Sequence, residues 1–388
     1  MGVIAVILLA GLLGPLLATW RRLPLPIVIG EIIGGILVGP QVLGLVDPND
    51  QIVRLLHDTG FALLMFTVGL HLRLHDPALR RALPRASLAC AVTAVFAFPI
   101  AWILAEITHV QNVGAIAVVL ATSSAAIALP VLSDSTGKEL PPQLAGLAAW
   151  IVVADVVTIV ALPLVTAQSS VWKVLFASLA VTIIALLALV LLRFMAKSRL
   201  YLRVSQLSQE KGWGLEMRIA LVLLFALAWV GPQLGTSMLV AGFAAGLAVS
   251  AFGVSSRLTT QLVGIGEGFL IPAFFVVLGT ELDPAGLFEV DSLILLAGLV
   301  AGTVIVHIVG GTAAGYRPAY GLIASAQMGV PLALVTLGRG EGWFAGGEAS
   351  AFVVAAMISV GISAIGAHRV GKSLQLRLGV PQDLKPVE

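Results

Sequence analysis

Thirteen mostly apolar runs, separated by short polar or Pro/Gly-rich breaks, fill most of the 388-residue sequence. They fall at 3–19, 25–45, 52–72, 86–106, 112–133, 143–167, 171–193, 216–232, 236–252, 261–280, 291–315, 318–338 and 347–368. A helix rising 1.5 Å per residue needs about 20 such residues to cross the hydrocarbon of a bilayer. The expected fold is therefore an all-α polytopic membrane protein of about thirteen transmembrane helices. Composition agrees: 59% of the residues are hydrophobic and 11% are charged, where a soluble domain is about a quarter charged. Too little polar side chain is present to cover a water-facing surface, which excludes a soluble globular enzyme. Mean hydropathy over the chain is +1.05.

The remaining totals exclude less. Met1 and Gly2 alone precede the first run, and the basic pair Arg21 and Arg22 follows it. A secretory signal has the reverse order, so this run is expected to stay as the first span. The single cysteine, Cys90, lies inside an apolar run and cannot pair within the chain. A net charge of +2, with the basic residues scattered through loops, gives no nucleic-acid-binding stripe.

Loop charge sets the expected direction of threading. An odd number of spans puts the termini on opposite sides, and Lys and Arg collect on the cytoplasmic side. With the N-terminus outside and the C-terminus cytoplasmic, 19 of the 22 Lys and Arg fall inside. They include Arg21 and Arg22, the cluster Arg73, Arg80, Arg81 and Arg85, the segment 193–218 and the tail from Arg369. Arg54, Lys173 and Arg339 stay outside, where the loops carry Asp47, Asp50, Glu281, Asp283, Glu289 and Asp291. A miscounted helix would scramble this alternation, and it persists to the end. The expected location is the plasma or inner membrane.

The polar, basic stretch 194–215, with Lys197, Arg199, Arg203 and Lys211, divides the chain. It separates residues 1–193, a first six-helix repeat plus a linking seventh helix, from a second repeat at 216–368. Residues 194–215 are then a basic cytoplasmic linker and 369–388 a short cytoplasmic tail. Equal sets joined by one crossing helix describe an inverted-topology repeat, a common plan for secondary transporters. The fifth run holds Ala121, Thr122, Ser123, Ser124 and Pro130; the twelfth holds Ser325, Ala326, Gln327, Met328, Gly329 and Pro331. Matched polar, Gly/Pro-interrupted helices point to crossed discontinuous helices around a midplane site. Small polar residues also serve plain helix packing in membranes, but the pairing of the two positions favours a site.

Asp155 lies twelve residues from either end of the sixth run, about 18 Å along a helix. A carboxylate at that depth costs about 2.5–3.5 kcal/mol on the mildest scale and is a functional candidate by default. The interior favours a neutralised carboxyl, either protonated or paired with one small cation. A structural aspartate bonded between helices is the plainer alternative. His307, alone in an apolar run, is either a satisfied packing residue or a pH-sensing partner of Asp155. Glu31 and Glu267 lie shallow in their spans and either line a vestibule or reach headgroups. His71 and His75 have metal-ligand spacing but end a helix, where histidine suits the helix dipole. The Gly264, Gly266, Gly268 pattern has no strand around it to make a nucleotide loop. An aspartyl protease would need a second facing aspartate, so no enzyme, catalytic residue or cofactor is expected.

These residues are where a family resemblance enters. The chain resembles the second family of monovalent cation:proton antiporters, which includes Kef-type potassium–proton and bacterial sodium–proton exchangers. The resemblance covers nearly the whole membrane domain. It is most specific from Arg22 to Pro40 (RLPLPIVIGEIIGGILVGP) and from Leu63 to Leu70 (LLMFTVGL). The Ala121–Thr122–Ser123 element, Val131–Leu132 and the stretch Pro272–Phe275 before Gly279 match as well. The resemblance implies a core domain moving elevator-like against a dimerising domain, hence a homodimer, with the ion site where two broken helices cross. It makes Asp155 the essential acid and Ala154 the position that holds a second Asp in electrogenic members, or Asn or Gln in others. Thr122 and Ser123 match the polar residues of the crossing, and His307 falls near a position often basic. Met328 and Val330 stand where a basic and an acidic residue are common. The nucleotide-binding domain of some Kef proteins is not expected, since about twenty residues follow the last run.

The expected function is thus exchange of K⁺ or Na⁺ for protons through Asp155, one for one and electroneutral because Ala154 removes a second titrating group. Thr122 and Ser123 would join Asp155 at the ion, since hard cations prefer oxygen. Ser124, His307, Gln327 and Glu31 are supporting or pH-sensing candidates. No metal is expected beyond the transported alkali cation, and the partners are the ions and the lipid bilayer. A conductive cation pathway and a transport-inactive sensor subunit are the alternatives on the same scaffold.

Overall fold

The computed structural model describes residues 1–19, 26–71, 77–136, 144–167, 170–252, 256–340, 342–344 and 347–378. Among them regular structure is helical, with no strand. Among the described residues nine helices are long and apolar enough to cross a membrane, and a bent pair at 318–338 makes a tenth. The runs at 3–19, 25–45 and 236–252 form shorter apolar helices. The second of these stops at Val38 because Gly39 turns extended ahead of Pro40, the conformation a following proline favours.

The chain forms two compact units, each drawn from both ends of the sequence: 1–74 with 167–284, and 75–166 with 285–388. The first unit opens with α1 (Gly2–Gly11), α2 (Leu13–Ala18), α3 (Ile27–Val38) and α4 (Gln51–His71). The second follows with α5 (Pro77–Thr108), α6 (Val113–Ala121), α7 (Ala125–Thr136) and α8 (Ala145–Val165). The chain then returns to the first unit for α9 (Val171–Ala196), α10 (Arg199–Lys211), α11 (Leu215–Leu234), α12 (Met238–Phe252), α13 (Ser256–Ile265) and α14 (Ile271–Thr280). A π-helical turn, Gly266–Leu270, joins the last two. The second unit is completed by α15 (Val290–Ala313), α16 (Pro318–Ala324), α17 (Gly329–Gly340) and α18 (Glu348–Leu378).

The first unit is packed backbone to backbone. A Cβ on Gly35 of α3 would strike the Val276 carbonyl of α14, and one on Gly279 would strike the Ile32 carbonyl. Gly69 of α4 and Gly246 of α12 make the same close approach, to Phe243 and Phe66. Without a water-driven hydrophobic term between spans, such small residues let helices gain contact by nearing one another. Leu63, Phe66, Leu224, Ala241 and Ala245 fill the interior around α4, α11 and α12.

In the second unit, α5 packs on α6, α8 and α15, while α18 packs on α7, α15 and α16. Trp150 of α8 is fully buried and stacks on Tyr316 at 5.7 Å, with the rings 3° from parallel. Arg85 of α5 lies over the same Tyr316 ring, 4.2 Å from its centroid. Its guanidinium donates to the carbonyls of Ala314 and Gly315, oxygens left without helical partners at the end of α15.

Candidate functional site

The two runs with matched polar interruptions are both broken in the structure. α6 stops at Ala121, Thr122 is extended, and α7 starts at Ala125. α16 stops at Ala324 and α17 starts at Gly329, with a 41° bend between them. Each break exposes carbonyls at one helix end and N–H groups at the next, all needing partners in a dry interior. The breaks satisfy one another in part: the Ser124 N–H donates to the Ala326 carbonyl at 2.7 Å.

Asp155 stands in the middle of α8, ten residues from each end, and is 3% exposed. Its Oδ2 accepts the N–H of Ala125, the first residue of α7, at 2.8 Å. A helix N-terminus is a ready anion site, because its free N–H groups and dipole both favour negative charge. The second oxygen, Oδ1, accepts no hydrogen bond from the described residues. One turn along α8, Thr158 donates to the Ala154 carbonyl at 2.7 Å and meets the Thr122 hydroxyl at 2.7 Å. With the Thr158 proton used on Ala154, Thr122 is the donor of that pair. Ser123, 1% exposed, keeps an Oγ without a partner among the described residues.

The second break is closed instead. Gln327, 2% exposed, donates its Nε2 protons to the Val119 carbonyl of α6 at 2.7 Å and to the Thr303 hydroxyl of α15 at 2.8 Å. Its own N–H donates to Ser359 Oγ of α18 at 2.9 Å, and that hydroxyl donates to Ala356. Thr303 also holds His307, whose Nδ1 lies 2.9 Å from the Thr303 carbonyl. A carbonyl only accepts, so Nδ1 carries the hydrogen there. The His307 ring is fully buried against Trp150, 5.8 Å between centroids. No charged residue occurs between Arg317 and Arg339.

The structure thus brings Asp155, Thr122, Ser123, Ser124 and Gln327 to the breaks, with His307 attached through Thr303. Glu31 belongs to the other unit, buried on α3. Thr158, Thr303 and Ser359 are polar partners that the sequence reading passed over. Their signal was helical spacing: Thr158 follows Asp155 by three, His307 follows Thr303 by four, and such pairs share a face. Chemically, the arrangement offers a half-anchored carboxylate, an unbonded hydroxyl and the carbonyls of the helix ends. That oxygen set suits a proton or a small hard cation.

Comparison with known proteins decides the family. The family model described as sodium/hydrogen exchanger, transmembrane, matches residues 4–371. The chain belongs to the sodium/hydrogen exchanger family. A Na⁺/H⁺ antiporter of Enterococcus hirae is 28% identical over 320 residues, 80% of each chain. A putative Na⁺/H⁺ antiporter of Bacillus subtilis, YjbQ, is 26% identical over 312 residues, 76% of this chain. The match spans half the length of that relative. The solved sodium proton antiporter MjNhaP1 of Methanocaldococcus jannaschii shares the fold, with a TM-score of 0.63 at 17% identity over 98% of this chain and 97% of that one. The exchanger family is one of multi-span membrane transporters and not of enzymes, consistent with the monovalent cation:proton antiporters that the sequence resembles.

Proposed function

We propose that the chain exchanges a monovalent cation, Na⁺ or K⁺, for protons, and that the Asp155 carboxyl carries either one at a time. The observation that supports this reading is the Asp155 geometry: Oδ2 fixed on the Ala125 N–H, Oδ1 open, beside two helix breaks. Membership of the exchanger family and relatives named Na⁺/H⁺ antiporters supply the reaction class. A bare carboxylate in this interior is costly, so the loaded carrier, protonated or cation-paired, is the form that reorients. Ala154, beside Asp155 and itself buried, brings no second acid, which makes the exchange one for one and electrically silent. Ser123 Oγ and the carbonyls at the break complete the cation's oxygen ligands. The loop-charge asymmetry supports an outside N-terminus and a cytoplasmic C-terminus.

Proteoliposomes with an internal pH dye and a potential-sensitive dye test this. Gradients of Na⁺, K⁺ and Li⁺ applied in parallel should drive proton movement without a change of potential, and Asp155→Asn should abolish it. Unchanged movement in that variant removes the site. A current insensitive to the pH gradient gives the conductive pathway instead. The uncharged second break, with Met328 and Val330 at its end, favours a transport-inactive sensor if no ion moves and none alters thermal stability.

A further inference from the structure

Helix α10 is tied to the bilayer boundary at both ends. α9 ends at Ala196 and α11 begins at Leu215, and both are long and apolar enough to span. Local bonds fix its course. The Ser198 hydroxyl accepts the Tyr201 N–H at 3.1 Å and caps its start. Gly212 ends it in the left-handed conformation, φ 69°. Ser208 Oγ accepts the Leu215 N–H at 3.0 Å and folds the helix against α11. Tyr201, Val204, Ser205 and Ser208 form the buried or half-buried face, at the spacing of one helix side. Burial, with the Glu216 carboxylate, pushes the Tyr201 phenol above its ordinary value, as that face requires.

The opposite side is a row of cations flanked by leucine. Arg199, Arg203 and Gln206 are exposed. Leu200 and Leu207, seven apart on one flank, are 74% and 41% exposed, and Leu202 is exposed on the other. Lys197 and Lys211 add a cation at each end of the helix, the latter 5.4 Å from the ring of Trp213, itself 45% exposed. Four cations stand against one carboxylate, Glu210, and none of the four is in an ion pair with a described residue. A basic amphipathic helix lies in the plane of the interface, apolar residues at the acyl boundary and charges among headgroups. Juxtamembrane Lys and Arg are drawn to anionic lipid. Lys197 and Ser198 on one side, and Gly212 to Gly214 on the other, are all that separate α10 from the spans, so headgroup phosphates are the anions within its reach.

We propose that α10 is a lipid-docking element, in which Leu200 and Leu207 enter the headgroup–acyl boundary and Lys197, Arg199, Arg203 and Lys211 bind the phosphates of anionic phospholipid. A nitroxide on Leu207→Cys in a Cys90→Ala background tests it, with the full chain in nanodiscs of phosphatidylcholine alone or with added phosphatidylglycerol. The ratio of oxygen to nickel-chelate collision rates at 207 should roughly double when phosphatidylglycerol is added. It should fall back in Arg199→Gln/Arg203→Gln, while a label at Gln206→Cys stays open to nickel throughout. A ratio indifferent to phosphatidylglycerol, or to the double substitution, overturns the proposal. So does dipolar broadening between labels, which would place a second copy of the chain on this face.

Discussion

The two helix breaks are built from similar residues, yet the second is tied across by more side-chain hydrogen bonds than the first. At Thr122–Ser124 the Asp155 carboxylate is held by one oxygen only, and the Ser123 hydroxyl has no partner among the described residues. At Ser325–Met328 the Gln327 amide bonds both α6 and α15, and its backbone N–H bonds α18. A buried polar group left unmade costs more than a made one contributes, so the unmet groups are the ones that can gain from a guest. Under the proposed function the two breaks have different tasks: the first receives the ion, and the second clamps the half-helices that frame it. Charge follows the same division, since Asp155 is the only acidic side chain described at either break.

The largest test of that contrast is Asp155→Asn. The amide oxygen still accepts the Ala125 N–H, so the fold should hold. Thermal stabilisation by Na⁺ or K⁺, expected of the wild type, should vanish in this variant. Gln327→Leu should come next and strike stability: the Val119 carbonyl and Thr303 hydroxyl lose their partner, for about 1–3 kcal/mol. Its midpoint of thermal unfolding should fall even without cation. Thr122→Val removes the donor to Thr158 and should lower stability by about 1 kcal/mol at most, with a weaker cation dependence read from flux. Ser123→Ala breaks no bond in the structure, so stability should stay within about 0.5 kcal/mol while apparent cation affinity weakens. If Ser123→Ala destabilised the protein more than Gln327→Leu, the roles of the two breaks would be exchanged.

Much of this was readable from the chain itself. Among the described residues each apolar run is mainly helical, since the backbone must satisfy its polar groups within the segment in lipid. The runs at 112–133 and 318–338 are broken, however, and those at 3–19, 25–45 and 236–252 form shorter helices. The breaks could be seen as clusters of Ser, Gln, Gly and Pro, and Asp155 as a charge where none is cheap. Partners were harder to see. Thr158, Thr303 and Ser359 look like ordinary packing residues of membrane helices, and only the crossing shows which carbonyl or amide each serves. The linker 194–215 reads as polar and basic, but its helix, α10, depends on the Ser198 cap and the Ser208 bond to Leu215. Which helices cluster is likewise invisible in linear order: each compact unit draws on both sides of that linker.

Proton release on cation binding tests the central claim most directly. Protein in weakly buffered nanodiscs, at a pH where the Asp155 carboxyl is protonated, is titrated with NaCl or KCl while a dye reports pH. Competition at one carboxyl predicts one proton freed for each cation bound, with apparent affinity improving about tenfold per pH unit raised over that range. Asp155→Asn should free none. Cation binding without proton release in the wild type, or undiminished release in Asp155→Asn, would contradict the account.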